Sequence, residues 1–214
     1  VVIESEVNEL TAKVHLSMSE GKVSDFYPLM QQGVGLETTI GHSVHDFLAH
    51  HLGLDPSYIE STITTIFLDG KPVDDMHTAR LKDGSVLALS GAMPGLVGAT
   101  MRRAGFYASL RSTISHRNEE GDMPVTDGLV VLKLFNVIVR DLGEEVLRHG
   151  MWIKAGALTD FLTSRSPDFW QRCKQATWDD QVLDAEDLRR HEWPAELKRV
   201  HFSVGLREGQ AGPE

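Results

Sequence analysis

His42, His45, Asp46 and His50 stand at i, i+3, i+4 and i+8 in a stretch that reads as helix. At 100° per residue they share the face opposite Val44, Phe47 and Leu48, and i, i+4 neighbours on a helix converge. Three imidazoles and one carboxylate on that face are a donor set for a divalent metal ion. The competing reading is a solvated polar face. No His-Glu-x-x-His pattern is present. Asp46 also has a counterpart in the second half of the chain, Asp160, whereas the histidines have none, which points to a structural aspartate.

A second cluster lies between Gly91 and Gly128. Arg102, Arg103, Arg111 and Arg117 gather there, in a chain whose 21 Lys and Arg against 31 Asp and Glu leave a net charge of −10. Phe106, Leu110 and Ile114 recur at i, i+4 and i+8, which predicts a short amphipathic helix. Arg102, Arg103, Phe106, Leu110 and Arg111 then make a basic, apolar surface for an acidic partner or for the chain's own other half. Gly95 to Gly105 with Thr100 can form an anion-binding turn, but it lacks the Lys-Ser/Thr ending of a P-loop. A connector packed on a domain is the alternative.

Other reactive types read as structure. Cys173 follows Phe169-Trp170 and is expected as a buried thiol. Trp152, Trp170, Trp178 and Trp193 all fall in the second half; most read as core, and an exposed Trp178 or Trp193 would mark an interaction hot spot. Asp179, Asp180, Asp184, Glu186 and Asp187 read as solvated surface. No serine sits in a nucleophile elbow and residue order offers no Ser–His–Asp triad, so no catalytic residue is assigned and a non-enzyme is expected.

Composition bounds the class. With 214 residues, 41% apolar and 24% charged, the chain can fill one large domain or two of about 100 residues. The acidic balance argues against nucleic acid or an anionic membrane as partner. One cysteine excludes an internal disulfide framework and a Cys-based zinc or iron–sulfur site, which suits a reducing, cytoplasmic location. No apolar run reaches ~18 residues, and no export signal opens the sequence.

The elements that must position these residues come in two similar sets. Val14, Leu16 and Met18 alternate as Val130, Leu132 and Leu134 do, 116 positions later. Gly33 precedes a short apolar strand as Gly150 does, and Asp46-Phe47-Leu48 recurs as Asp160-Phe161-Leu162, 114 positions on. Lys13–Met18 reads as a strand with Gly33–Glu37 as its neighbour. Ser43–Leu52 reads as a helix stopped by Gly53, with Asp55-Pro56 preventing its resumption. Thr62–Leu68 and Ser85–Ser90 read as strands, with tight turns at Asp69-Gly70 and Asp83-Gly84. The second half offers a long strand at Leu129–Val139, a helical turn at Asp141–His149, a strand at Met151–Ile153 and a helix around Leu158, Phe161 and Leu162. Strands at Thr177–Leu183 and Val200–Val204 and a short helix at Asp184–His191 complete it. One apolar helix stripe per half needs one sheet to cover it.

The run Thr65-Ile66-Phe67-Leu68-Asp69-Gly70-Lys71-Pro72-Val73, followed by Leu81-Lys82-Asp83-Gly84-Ser85-Val86-Leu87-Ala88-Leu89, resembles the second half of ubiquitin-like β-grasp sulfur carriers of thiamine and molybdopterin synthesis (the ThiS/MoaD type). The resemblance covers about residues 13 to 98 and reaches the second half only through the internal repeat. It implies an α+β fold of tandem ubiquitin-like β-grasp units, each a mixed sheet packed on one main helix. The expected divisions are 1–98, a bridge at 99–128 with a short amphipathic helix and linker, and 129–214. In the family a free C-terminal Gly-Gly is adenylated and becomes a thiocarboxylate. Here the matching segments read Gly91-Ala92-Met93-Pro94-Gly95 and Gly209-Gln210-Ala211-Gly212-Pro213-Glu214, neither ending in Gly-Gly. The expectation is therefore a non-catalytic protein-interaction adaptor without a cofactor. The resemblance suggests a partner such as an activating or cofactor-biosynthesis enzyme of sulfur or molybdenum/tungsten metabolism. Two alternatives stay open: a sulfur carrier released by processing near Gly95 or Gly98, and a metal-binding protein built on His42, His45, Asp46 and His50.

Overall fold

The computed structural model describes residues 10–19, 22–103, 105–111, 114–116 and 123–206. The protein is α+β. β1 (Thr11–Met18) alternates buried and accessible residues along its length. A 3-10 turn at Val23–Phe26 runs into α1 (Tyr27–Gln32). β2 (Val34–Ile40) follows. α2 (Val44–Asp46) opens with a capping box, in which Ser43 and Asp46 each satisfy the other's backbone N–H. It passes directly into a π turn at Phe47–His51. Asp55 caps α3 (Pro56–Ser61), with Pro56 in its first turn. The Asp-Pro pair therefore starts a new helix rather than ending structure, because proline at the first helical position gives up an N–H that has no partner there.

β3 (Thr65–Leu68) turns through Asp69 (φ 51°) and Gly70 (φ 77°) into β4 (Lys71–Pro72). Both central residues are left-handed, the geometry that an Asp-Gly hairpin turn needs. After β5 (Val86–Ser90) come α4 (Gly95–Met101) and a 3-10 turn at Ala108–Arg111. The predicted helix through Phe106, Leu110 and Ile114 is replaced by that single turn, and Phe106 and Ile114 are exposed rather than packed.

β6 (Thr126–Phe135) ends where Asn136 takes a φ of 54°. Val137–Val139 of the predicted long strand belong instead to α5 (Asn136–His149). Then come β7 (Met151–Lys154), α6 (Ala155–Thr163), α7 (Pro167–Arg172), β8 (Cys173–Trp178), β9 (Gln181–Leu183), α8 (Ala185–Arg189) and β10 (Arg199–Leu206).

Contacts divide the chain into two compact units, and neither boundary falls at 98 or 129. The continuous unit is Met30–Gly143; the split unit joins the described residues up to Leu29 to those from Glu144 onward. The continuous unit holds a mixed sheet in the order β2-β6-β5-β3-β4. Its core is built by Val44, Phe47 and Leu48 of the α2 and π segment against Ile66, Leu87, Leu89, Val130, Leu132 and Leu134. The split unit holds the order β7-β10-β1-β8-β9. There Phe26, Phe161, Phe169 and Phe202 pack ring against ring at 5.6–6.2 Å under Val14, Leu16 and Met18. Each sheet runs antiparallel, parallel, antiparallel, antiparallel across its pairs.

The expected neighbour of β1 is not the observed one. β1 lies between β10, parallel, and β8, antiparallel, while β2 pairs with β6. Parallel partners require a long connection, and here the two parallel partners of the split unit lie at opposite ends of the described chain. A fragment spanning 30–143 should therefore unfold cooperatively by itself, because it contains its whole sheet. A fragment of 1–98 lacks β6, which lies between β2 and β5, and should give no cooperative thermal transition by circular dichroism.

Burial lowers the pKa of His15 below its ordinary value of 6.5. Its Nδ1 lies 2.8 Å from Ser203 Oγ. Below pH 6.5 the unfolded chain takes up a proton that folded His15 does not yet hold, so this residue removes stability as pH falls and restores it as pH rises. Denaturant midpoints measured from pH 5 to 8 should rise less steeply in His15→Asn than in the parent.

Candidate functional site

Two places on the continuous unit hold the residues with chemical potential. The first is a cavity of about 470 Å³ lined by Thr38, Thr39, His42, Asp46, Phe47, His50 and His51. His42 precedes the helix cap and is fixed through its backbone, where its carbonyl accepts from Leu81 N at 3.0 Å. The π turn, marked by Leu52 N donating to Phe47 O at 3.0 Å, brings His51 to the cavity beside His50. The His51 ring stacks on Phe47 at 5.0 Å.

His45 goes elsewhere. Its ring stacks on His77 at 4.2 Å, and its Nδ1 stands 3.9 Å from Asp46 Oδ1. Asp46 is committed to the cap, accepting from Ser43 Oγ at 2.7 Å and from Ser43 N at 3.2 Å. The Ser43 hydroxyl, with His42 and His45 nearby, holds the Asp46 carboxyl below its usual range. So the predicted metal set of His42, His45, Asp46 and His50 is only partly brought together, and His51 joins it. Among the described residues no three His, Cys, Asp or Glu side chains are placed to hold one metal ion. His51 was missed in the sequence because a regular helical register does not anticipate the wider π turn.

The second place is the segment after β5. Two of the predicted partner-binding arginines hold this segment down. Arg111 is 3% exposed and grips Asp74 with two bonds, Nη2 to Oδ1 at 2.7 Å and Nη1 to Oδ2 at 3.0 Å. Its Nε donates to Thr100 O at 2.6 Å and its Nη2 to Arg102 O at 3.3 Å, which closes the turn after α4. Arg103 donates to Glu60 Oε2 at 3.3 Å and to the Ile59 and Ile63 carbonyls at 3.1 and 3.3 Å. Its backbone N–H donates to Thr64 O at 2.7 Å.

Such charge-assisted, multiply bonded arginines fix a backbone where a single ion pair would not. Arg102 stays exposed. Leu96, Val97 and Phe106 are 71%, 66% and 90% exposed. The side chain of Leu110, Arg117 and the second tail at Gly209 and Gly212 lie outside the described residues.

Gly95 and Gly98, the candidate carrier-tail residues, open α4. Gly98 is buried, and a Cβ there would stand 2.2 Å from the carbonyl oxygen of Met93. Processing at Gly98 therefore requires α4 to unwind first. Elsewhere, Cys173 is buried and burial pushes its thiol pKa up, as its place after Phe169-Trp170 predicts. Trp178 and Trp193 are half-buried and packed with His191, their indole centroids 4.5 Å apart. Among the described residues no helix is long and apolar enough to cross a membrane.

No family model, curated protein or solved structure matches this chain. What the protein does must therefore be read from its own surfaces.

The Gly98 contact gives a direct check on the clamp. Gly98→Ala has to displace the Met93 backbone, and over-packing of this kind costs about 1–3 kcal/mol. The variant should show a lower melting temperature, together with faster proteolysis between residues 95 and 111.

Proposed function

We propose that the chain is a non-catalytic protein-interaction adaptor with two ubiquitin-like β-grasp units. The β-grasp reading is supported by the strand pairing. Each unit has a mixed five-stranded sheet with a parallel pair inside it, and its main helical segment connects one edge strand to the strand next to the opposite edge. Against this reading stands the origin of the interior strands, since β1 and β6 are each paired outside the half of the sequence in which they occur. The adaptor reading does not need the two halves to be self-contained.

One observation carries the adaptor role. Leu96, Val97 and Phe106 are held out in solvent on a backbone that Arg103 and Arg111 anchor from beneath. Scattered exposed apolar residues are ordinary, but several on one anchored segment mark a surface for another protein. A fixed backbone also lowers the ordering cost that association must meet. Phe106 is the natural anchor, because aromatic side chains dominate interface hot spots.

A photo-crosslinking amino acid at position 106 tests this in lysate of the organism that makes the protein. A discrete covalent protein adduct is expected at 106 and absent at Val182, an apolar position of the split unit that is 66% exposed. Leu96→Glu should abolish the adduct without moving the melting temperature. Equal labelling at both positions, or none at 106, removes the reading.

A further inference from the structure

Away from the histidine cavity and from α4, the end of the β3–β4 hairpin carries a small cavity of a different character. It measures about 180 Å³ and is lined by Asp69, Lys71, Thr78, Arg80, Lys82 and His116, with Met123 completing the lining. Lysine and arginine outnumber carboxylates around it, in a chain where 31 acids stand against 21 bases.

The acids close to these cations in sequence are turned to other partners. Asp69 accepts from Val86 N at 2.7 Å and from Ser85 Oγ at 3.3 Å. Asp74 is held by Arg111 and Ser115. Asp75 accepts from His77 N at 2.9 Å and from the Thr78 hydroxyl at 2.9 Å, and Asp83 accepts from Leu129 N at 2.8 Å. Lys82 and His116 have partners of their own. Lys71 and Arg80 differ: among the described residues neither side chain forms an ion pair or a hydrogen bond.

The backbone holds both in place. Lys71 pairs with Leu68 in the hairpin. Arg80 bridges Ser43, with Val44 N donating to Ala79 O at 2.8 Å and Leu81 N to His42 O at 3.0 Å. His116 N donates to Pro72 O at 2.8 Å, which ties the returning bridge to the same corner. Two unpaired cations thus border one cleft, and a cleft lined by one sign of charge concentrates counter-ions. The volume is below the ~300 Å³ at which pockets for drug-sized ligands begin, so a whole nucleotide is excluded. A guanidinium presents two parallel N–H groups to two oxygens of a phosphoryl group, and an ammonium adds a point charge. Two cations also balance the charge of about −2 that a phosphate monoester carries near neutral pH.

We propose that this cavity binds one phosphoryl group, as free phosphate or as a phosphate monoester, between the Arg80 guanidinium and the Lys71 ammonium. The site goes beyond the adaptor reading and does not rest on it, since it uses neither α4 nor Phe106.

Calorimetric titration of the full chain with inorganic phosphate, and with a short peptide bearing one phosphoserine, tests it. Saturable one-to-one binding of at least one of them is expected, with a melting temperature that rises as ligand is added. The unphosphorylated peptide should not bind. Arg80→Gln and Lys71→Gln should each weaken binding by about tenfold or more. Lys174→Gln, at an exposed lysine of the split unit, should leave it unchanged. Tighter binding of the phosphopeptide assigns the site to a modified polypeptide, and binding of inorganic phosphate alone assigns it to the free ion; either result sustains the site. Glu119, Glu120 and Asp122 lie between His116 and Met123 in sequence and outside the described residues. If binding appears only when these three are changed to Gln, Gln and Asn, the chain's own carboxylates occupy the cavity and the proposal falls. It also falls if neither ligand binds, or if Lys174→Gln weakens binding as much as Arg80→Gln, the mark of adventitious attraction to surface charge.

Discussion

Parallel pairing between strands distant in sequence is the constraint on which the rest depends. A hairpin cannot join parallel strands, so β10 must be brought to β1, and β6 to β5, by long excursions of chain. The first excursion makes one unit discontinuous, with an N-terminal strand inside a sheet otherwise built from Glu144 onward. The second is the segment from Gly91 to Val125, which must leave β5 and return to its side. Loop-closure entropy rises only slowly with length, so a connection of this length is tolerable. It leaves room for a folded feature, α4 and its clamp, where a minimal sheet would have a short crossover.

That clamp shows how charge is used in an acidic protein. Burying a guanidinium is costly unless every donor is met. Arg111 meets the cost with a bidentate carboxylate and two backbone carbonyls, and Ser115 Oγ adds a bond to the same Asp74 at 2.9 Å. Two of the arginines whose excess looked like a binding surface are thus spent on architecture. The apolar side chains beside them, Leu96, Val97 and Phe106, stay exposed.

Much of the local structure was legible because it depends on neighbours in sequence. Asp69-Gly70 specified its turn, Ser43 with Asp46 its cap, and Leu158, Phe161 and Leu162 a buried helix stripe. The partner of β1 was not legible. Val14, Leu16 and Met18 carry the same apolar alternation as Val130, Leu132 and Leu134, so pattern alone cannot say which strand fills which slot. The burial of Arg111 was hidden for a related reason, since Asp74 lies far away in sequence and its carboxylate looks like any surface acid. In the histidine cavity the residues were found, but their membership was not. A π turn shifts the facing of His50 and His51, and nothing in side-chain spacing announces it.

The order in which the ribosome makes the strands has a consequence for cellular handling. Thr11–Met18 emerges about 190 residues ahead of Arg199–Leu206, its parallel partner, a delay of roughly 10–40 s at ordinary translation speeds. Throughout that interval Val14, Leu16 and Met18 form a sticky ribbon without its final mate, and the slot beside Val34–Ile40 stands open until Thr126–Phe135 is synthesised. The nascent chain thus passes through a stage in which the earliest strand carries the apolar alternation of a vacancy it does not finally occupy.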